Sequence, residues 1–143
     1  MGLRRLGRAL PLAAAAACLS GCGASHLLPV ASGRVVDVSE RDFSINVSSR
    51  HLSPGLVTFR VTNHGPDDHE LIVIRERDRL PLRTDGITVN EERLAPETVG
   101  TLEPGAPGAV RDLTVRLKKG RYVLICNMSG HFMGGMDAVV EVG

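Results

Sequence analysis

From position 34 onward the sequence is a series of short runs in which apolar and polar residues alternate, separated by clusters of glycine, proline, asparagine and aspartate. A period of two puts alternate side chains on opposite faces of an extended chain, so such runs predict half-buried strands and not helices. Phe43-Ser44-Ile45-Asn46-Val47 is the cleanest case, and it predicts Phe43, Ile45 and Val47 on one face. Arg34-Val35-Val36-Asp37-Val38, Leu56-Val57-Thr58-Phe59-Arg60-Val61-Thr62, residues 109–117, residues 121–126 and residues 136–142 are further strand candidates. Leu71-Ile72-Val73-Ile74 is apolar throughout, apt for a buried strand. About seven strands without a strong helix predict an all-β fold, a Greek-key sandwich or barrel. With no Trp, one Tyr and three Phe, its core must be built from Val, Leu, Ile and Ala.

Residues 75–108 break this pattern. Charges cluster there, four prolines interrupt, and no period survives, although Glu91 to Leu94 can make one helical turn. The stretch reads as a partly irregular insertion between strands. One this long inside a compact domain is uncommon unless it is functional or packed. The expectation is that it covers one flank of the sandwich and shapes a partner surface.

The beginning of the chain follows different rules. Arg4, Arg5 and Arg8 precede a short apolar run rich in alanine, the layout of an export signal and too short to span a bilayer. The run ends Leu19-Ser20-Gly21-Cys22, which resembles the lipobox of bacterial lipoproteins. That resemblance implies cleavage before Cys22 and lipid, palmitate included, on its thiol. Residues 1–21 are thus read as a lipoprotein signal peptide, residues 22–33 as a tether, and residues 34–143 as the folded domain. The expected location is extracytoplasmic, lipid-anchored to the cell membrane. Cleavage removes three arginines and no acid from a chain of net charge +1, leaving a mildly acidic domain. That charge gives no reason to expect nucleic acid as a partner and no polybasic membrane patch.

Cysteine usage then isolates one thiol. Cys18 leaves with the signal and Cys22 takes the lipid, so Cys126 has no partner in the chain, although exported proteins favour disulfides. A buried apolar cysteine is the simplest account of it. Its neighbours argue for more. Cys126, His131 and Met136 lie within one short segment, together with Met128, Met133 and three glycines. His69 follows the loop Asn63-His64-Gly65-Pro66-Asp67-Asp68 and precedes the apolar strand. Two imidazoles, one thiolate and a weak axial thioether are the ligand set of a mononuclear blue-copper electron-transfer site. No Ser/His/Asp set, carboxylate pair or phosphate-binding glycine motif is recognisable, and the chain is not expected to be an enzyme.

Here the sequence resembles a family. YVLICNMSGHFMGGM (residues 122–136) is similar to the copper loop of the cupredoxins, the small blue copper proteins, in a sulfocyanin-like spacing. VTFRVTNHGPDDHELIVI (residues 57–74) is similar to their first-histidine region. The resemblance implies one type 1 copper ion, with His69, Cys126 and His131 as equatorial ligands and Met136 as the axial one. Met133 is a competitor for the axial position. Many cupredoxins have Asn after the first histidine, to brace the loop near the thiolate; here that residue is Glu70. The resemblance further implies a monomeric one-electron carrier meeting a redox partner protein at the outer face of the membrane. His131 is the expected exit, inside a patch of Phe132, Met133 and Gly134. His26 and His51 are expected to be solvated, and His64 is read not as a ligand but as an exposed edge open to a partner. Two other readings stay open: a copper chaperone or storage protein that binds Cu(I) without electron transfer, and a metal-free interaction module.

Overall fold

A computed structural model describes residues 33–76 and 79–143. The expected signal segment, Cys22 with its expected lipid, and His26 lie outside the described residues. Among the described residues nine strands and one helical turn follow in order: β1 (Arg34–Arg41), β2 (Ser44–Val47), β3 (His51–Leu52), β4 (Gly55–Asn63), β5 (His69–Arg75), α1 (Glu91–Leu94), β6 (Thr98–Gly105), β7 (Val110–Leu117), β8 (Gly120–Ile125) and β9 (Asp137–Val142). They form two sheets, ordered β2-β1-β4-β7 and β3-β9-β8-β5-β6. The pairings are antiparallel except β1 with β4 and β3 with β9. The all-β sandwich expected from the alternation is therefore present.

The main core lies between the sheets and is aliphatic, as the scarcity of aromatics requires. Val36 and Val38 of β1, Val57, Phe59 and Val61 of β4, Leu71 and Val73 of β5, and Tyr122 and Leu124 of β8 all point into it. Each such apolar side chain contributes roughly 1.5–3 kcal/mol by leaving water. Tyr122 keeps its hydroxyl satisfied by donating to the Lys118 carbonyl at 2.9 Å and accepting from the Lys118 N–H at 3.0 Å.

Three sequence expectations change. Phe43 is not on the inner face with Ile45. Arg41 pairs with Ser44, so Asp42 and Phe43 are the two residues of a hairpin turn. Phe43 adopts φ 60° and is 54% exposed. Of the two turn residues only Phe43, the second, has positive φ, the position at which a type II turn places its left-handed residue.

Residues 75–108 are less irregular than their composition suggests. Residues 98–105 form β6, which pairs with β5. Pro104 is tolerated because β6 is the edge of its sheet. The rest of the insertion supplies a second core on the outer face of that sheet. Val89 and Leu94 pack there with Ile72 and Ile74 of β5 and Ile125 of β8. The uniform apolarity of residues 71–74 follows, because Leu71 and Val73 face the main core while Ile72 and Ile74 face the second. Asn90 caps α1 by accepting the Arg93 N–H at 3.1 Å.

The third change is at the end of β1, which runs on to Arg41 and places Glu40 in line with Val36 and Val38, fully buried.

Candidate metal centre

The register of β5 against β8 builds the site. Ile72 pairs with Ile125, so the chain leaving β8 passes Cys126 beside the start of β5, where His69 sits. Residues 126–136 then close a loop on themselves. The Cys126 N–H donates to the Met136 carbonyl at 3.2 Å, and the Met136 N–H donates to the His131 carbonyl at 3.0 Å. Gly130 and Gly135 take φ of 81° and 96°, the left-handed turns that this closure needs.

On the other side, Asn63 organises the loop that delivers His69. Its side-chain oxygen accepts the Gly65 N–H at 2.8 Å, and its amide donates to the carbonyls of Asp67 and Gly105, each at 2.8 Å. An asparagine with all these bonds satisfied can be fully buried without penalty.

The loops bring His69, Cys126 and His131 together. One donor atom from each lies within 4.8 Å of the others. The Cys126 Sγ is 3.9 Å from His69 Nδ1 and 3.6 Å from His131 Nδ1. The imidazole centroids are 5.1 Å apart. Cys126 and His69 are fully buried, and His131 is nearly so. A thiol and two ring nitrogens converging on one point form a donor set for a soft or borderline metal ion, and they fit one.

Burial governs the protonation of these groups. Loss of solvent pushes the Cys126 thiol up to about 11, so without a metal it is protonated at neutral pH. Backbone N–H groups of Glu70 and Met128 act in the opposite direction, toward the thiolate. Burial, reinforced by the neighbouring His131, lowers the His69 pKa, which keeps that imidazole neutral.

The structure resolves what Glu70 does in place of asparagine. Its carboxylate accepts the Asn127 N–H at 3.1 Å, so it ties β5 to the residue after Cys126. Burial, and Glu91 nearby, raise its own pKa. Asn127 in turn accepts the Val89 N–H at 2.6 Å and donates to the Val89 carbonyl at 3.0 Å and to Glu91 at 2.8 Å. The insertion thereby holds the cysteine loop from outside.

Met136 is fully buried in the main core with Cys126, whereas Met133 is 52% exposed and Met128 packs against the core. Phe132, expected on the patch around His131, packs against the second core instead. The aromatic beside His131 is Phe43, with ring centroids 5.5 Å apart in an edge arrangement. A Cβ on Gly134 would stand 2.2 Å from the Phe43 ring, so glycine is what lets the turn and the loop meet. His51 is exposed, 3.7 Å from Glu141, and His64 is exposed too; neither belongs to the cluster.

Sequence reading missed Asp42, Phe43, Asn127 and the Glu40–Arg111 pair. Asp42-Phe43 carries no glycine to mark a turn, and Asn127 gives no sign of its partners Val89 and Glu91, 38 and 36 residues upstream. Only Asn63-x-Gly65 carried a local turn signal.

No protein-family model matches the sequence, and no curated protein matches it. Solved structures do. An auracyanin from the photosynthetic bacterium Roseiflexus castenholzii, in its dithionite-reduced form, aligns at TM-score 0.59 and 14% identity, over 78% of this chain and 98% of that one. Auracyanin A of Chloroflexus aurantiacus, described as a "blue" copper protein, aligns at TM-score 0.56 and 14% identity, over 78% and 100%. Rusticyanin of Thiobacillus ferrooxidans aligns at TM-score 0.56 and 16% identity, over 78% and 79%. This chain has the cupredoxin fold.

Proposed function

We propose that this protein is a membrane-tethered type 1 copper protein that carries single electrons outside the cytoplasm. The observation that carries the reading is the buried convergence of His69 Nδ1, Cys126 Sγ and His131 Nδ1 in a cupredoxin fold whose relatives include copper proteins. His69, Cys126 and His131 would hold the ion, and Met136, buried beside them in sequence and core, is the axial candidate over the exposed Met133. Bound copper supplies a one-electron couple between Cu(I) and Cu(II).

The protein's own contribution is preorganisation. Cys126 gives up its proton on binding metal, and the Glu70 and Met128 amides offer hydrogen bonds to the resulting thiolate. The neutral His69 imidazole presents a lone pair without first losing a proton. Two sheets, the closed loop and the Asn127 clamp hold the donors still, so little has to move when an electron arrives. His131 is the ligand with a solvent-facing edge, and Phe43 and Met133 give its surroundings exposed apolar area. A redox partner that docks there would reach a bound ion through His131. The acidic residues Asp67 and Asp68 border the same depression as His131, with Pro66, Met128 and Ser129.

The test is the visible and EPR spectrum of the purified protein with one equivalent of Cu(II). An intense thiolate-to-copper band with narrow copper hyperfine splitting, lost in Cys126→Ser, supports the reading. A colourless protein that binds Cu(I) and yields it to a chelator supports copper delivery instead, the function for which the exposed Met133 is suited. Membrane attachment through Cys22 rests on the Leu19-Ser20-Gly21-Cys22 sequence. Incorporation of labelled palmitate that disappears in Cys22→Ala, with release of the protein from the membrane fraction, tests it.

A further inference from the structure

We infer that Asp42, on the β1–β2 turn, is a positioning residue for His69 that also biases the site toward the oxidised metal. The inference rests on the copper reading above for its redox half only.

Asp42 Oδ1 lies 3.1 Å from His69 Nε2. Both atoms are buried and neither makes a hydrogen bond, so the 3.1 Å approach is an ion-pair contact between two otherwise unpartnered polar atoms. On the opposite side of the same ring, Nδ1 faces Cys126 Sγ. A neutral imidazole has one N–H and one lone pair. A carboxylate accepts only, so facing Nε2 it selects the tautomer with the proton there and leaves the Nδ1 lone pair toward the donor cluster. The Asp42 side chain keeps 27% of its surface exposed, so its charge remains partly solvated while one oxygen meets the ring.

The surrounding chain is shaped around this contact. Gly65 packs over it, where a Cβ would stand 2.6 Å from Asp42 Oδ1 and 2.6 Å from His69 Nε2. The hairpin turn that presents Asp42 places Phe43 in the left-handed region. The other histidine is treated differently. His131 Nε2 is 3.9 Å from Asp67 Oδ2, and Asp67 is 64% exposed, too distant and too wet to hold the ring in the same way. The turn therefore serves both histidines, Asp42 against His69 and Phe43 against His131.

A negative charge behind a ligand stabilises the more positive metal state. Asp42→Asn removes the charge and keeps an acceptor; Asp42→Ala removes both. The expected effect of Asp42→Asn is an about tenfold fall in the ratio of Cu(II) to Cu(I) affinity, a rise of about 59 mV in potential for one electron. The positioning half is read without metal, by nitrogen-15 NMR of the metal-free protein. An exchange-protected His69 Nε2–H is expected in the wild type and in Asp42→Asn, and is expected to be lost in Asp42→Ala. An unchanged potential in Asp42→Asn overturns the redox half. A protected Nε2–H that survives in Asp42→Ala, or is absent from the wild type, overturns the positioning half. Far-UV circular dichroism identifies a variant that fails to fold, and Asp42→Asn then carries the potential measurement alone. If the wild type gives no blue copper spectrum, the copper reading fails while the NMR experiment still decides the positioning half.

Discussion

Glu40 and Arg111 meet inside the sandwich, Oε2 to Nη2 at 2.8 Å, with the Glu40 side chain fully buried. Arg111 also donates to the Glu103 carbonyl. One guanidinium thus links β1, β6 and β7, which belong to both sheets. The pair sits at the end of β1, two residues from Asp42 and next to His64, whose N–H donates to the Glu40 carbonyl at 2.8 Å. Removing one partner of such a pair leaves a buried charge uncompensated. Arg111→Ala is expected to destabilise the metal-free protein in urea unfolding by up to about 3–5 kcal/mol above pH 7, where Glu40 is ionised, and by less at lower pH, where it holds a proton.

The same pair predicts a pH dependence. Burial raises the Glu40 carboxyl to about 7 from an ordinary 4.5, against the opposing pull of Arg111. Between those values the folded protein holds a proton that the unfolded chain has released. Stability from this group is therefore full below about 4.5 and declines as pH rises toward about 7. His69 works the other way, since its lowered pKa removes stability as pH falls below its ordinary 6.5. Comparison with Glu40→Gln separates the two. The stability difference between Glu40→Gln and wild type should shift in favour of the variant as pH goes from 4.5 to 7. Parallel stability curves across that range would show that Glu40 does not titrate there.

Asn127 predicts how the insertion serves the site. Its side chain satisfies both backbone polar groups of Val89, and truncation strands them in a buried place. Asn127→Ala should lose about 1–3 kcal/mol of stability. It should also release bound metal to a chelator faster than wild type, because the residue after Cys126 is no longer clamped to Val89 and Glu91. Unchanged release kinetics would confine the insertion to a packing role.

What the sequence disclosed and what it hid follow one physical division. The strands were legible because alternation is local, and the Cys126–Met136 loop was legible because its donors are near neighbours in the chain. The position of Phe43 was not. Ser44, Ile45 and Val47 extend its alternation, and only the pairing of Arg41 with Ser44 turns it outward. Glu40 looked like the end of a strand because its counterion lies on β7, far along the sequence. Residues 98–105 looked irregular because an edge strand accepts proline and charge where a central one does not. Asp42 was hidden for the same reason as Phe43, although it touches His69.

Phe43 gives a separable test of strain and contact. A bulky residue in the left-handed region costs about 1–3 kcal/mol, and asparagine tolerates that region better. Phe43→Asn should therefore leave the melting temperature equal or higher. It should also slow electron self-exchange several-fold, because exposed apolar area beside His131 is lost. A large fall in melting temperature would mean that the edge contact with His131 outweighs the backbone strain.

The two thioethers make the last comparison. Met136 is fully buried, with its backbone hydrogen-bonded to Cys126 and His131, and Met133 is half exposed, yet both follow His131 closely in the chain. Leucine keeps the volume of methionine and removes the sulfur, a swap that costs less than about 1.5 kcal/mol in a packed core. If Met136 is the axial donor, Met136→Leu should retain the blue colour, since Cys126 supplies the charge-transfer band. It should also raise the reduction potential, because losing an axial donor costs the more highly charged Cu(II) more than Cu(I). Met133→Leu should change neither colour nor potential. It should weaken only encounters with a partner, seen as a slower bimolecular rate at unchanged driving force. The reverse outcome, a potential that moves with Met133 and not with Met136, would assign the axial position to the exposed residue. The loop would then have to draw Met133 inward when metal binds.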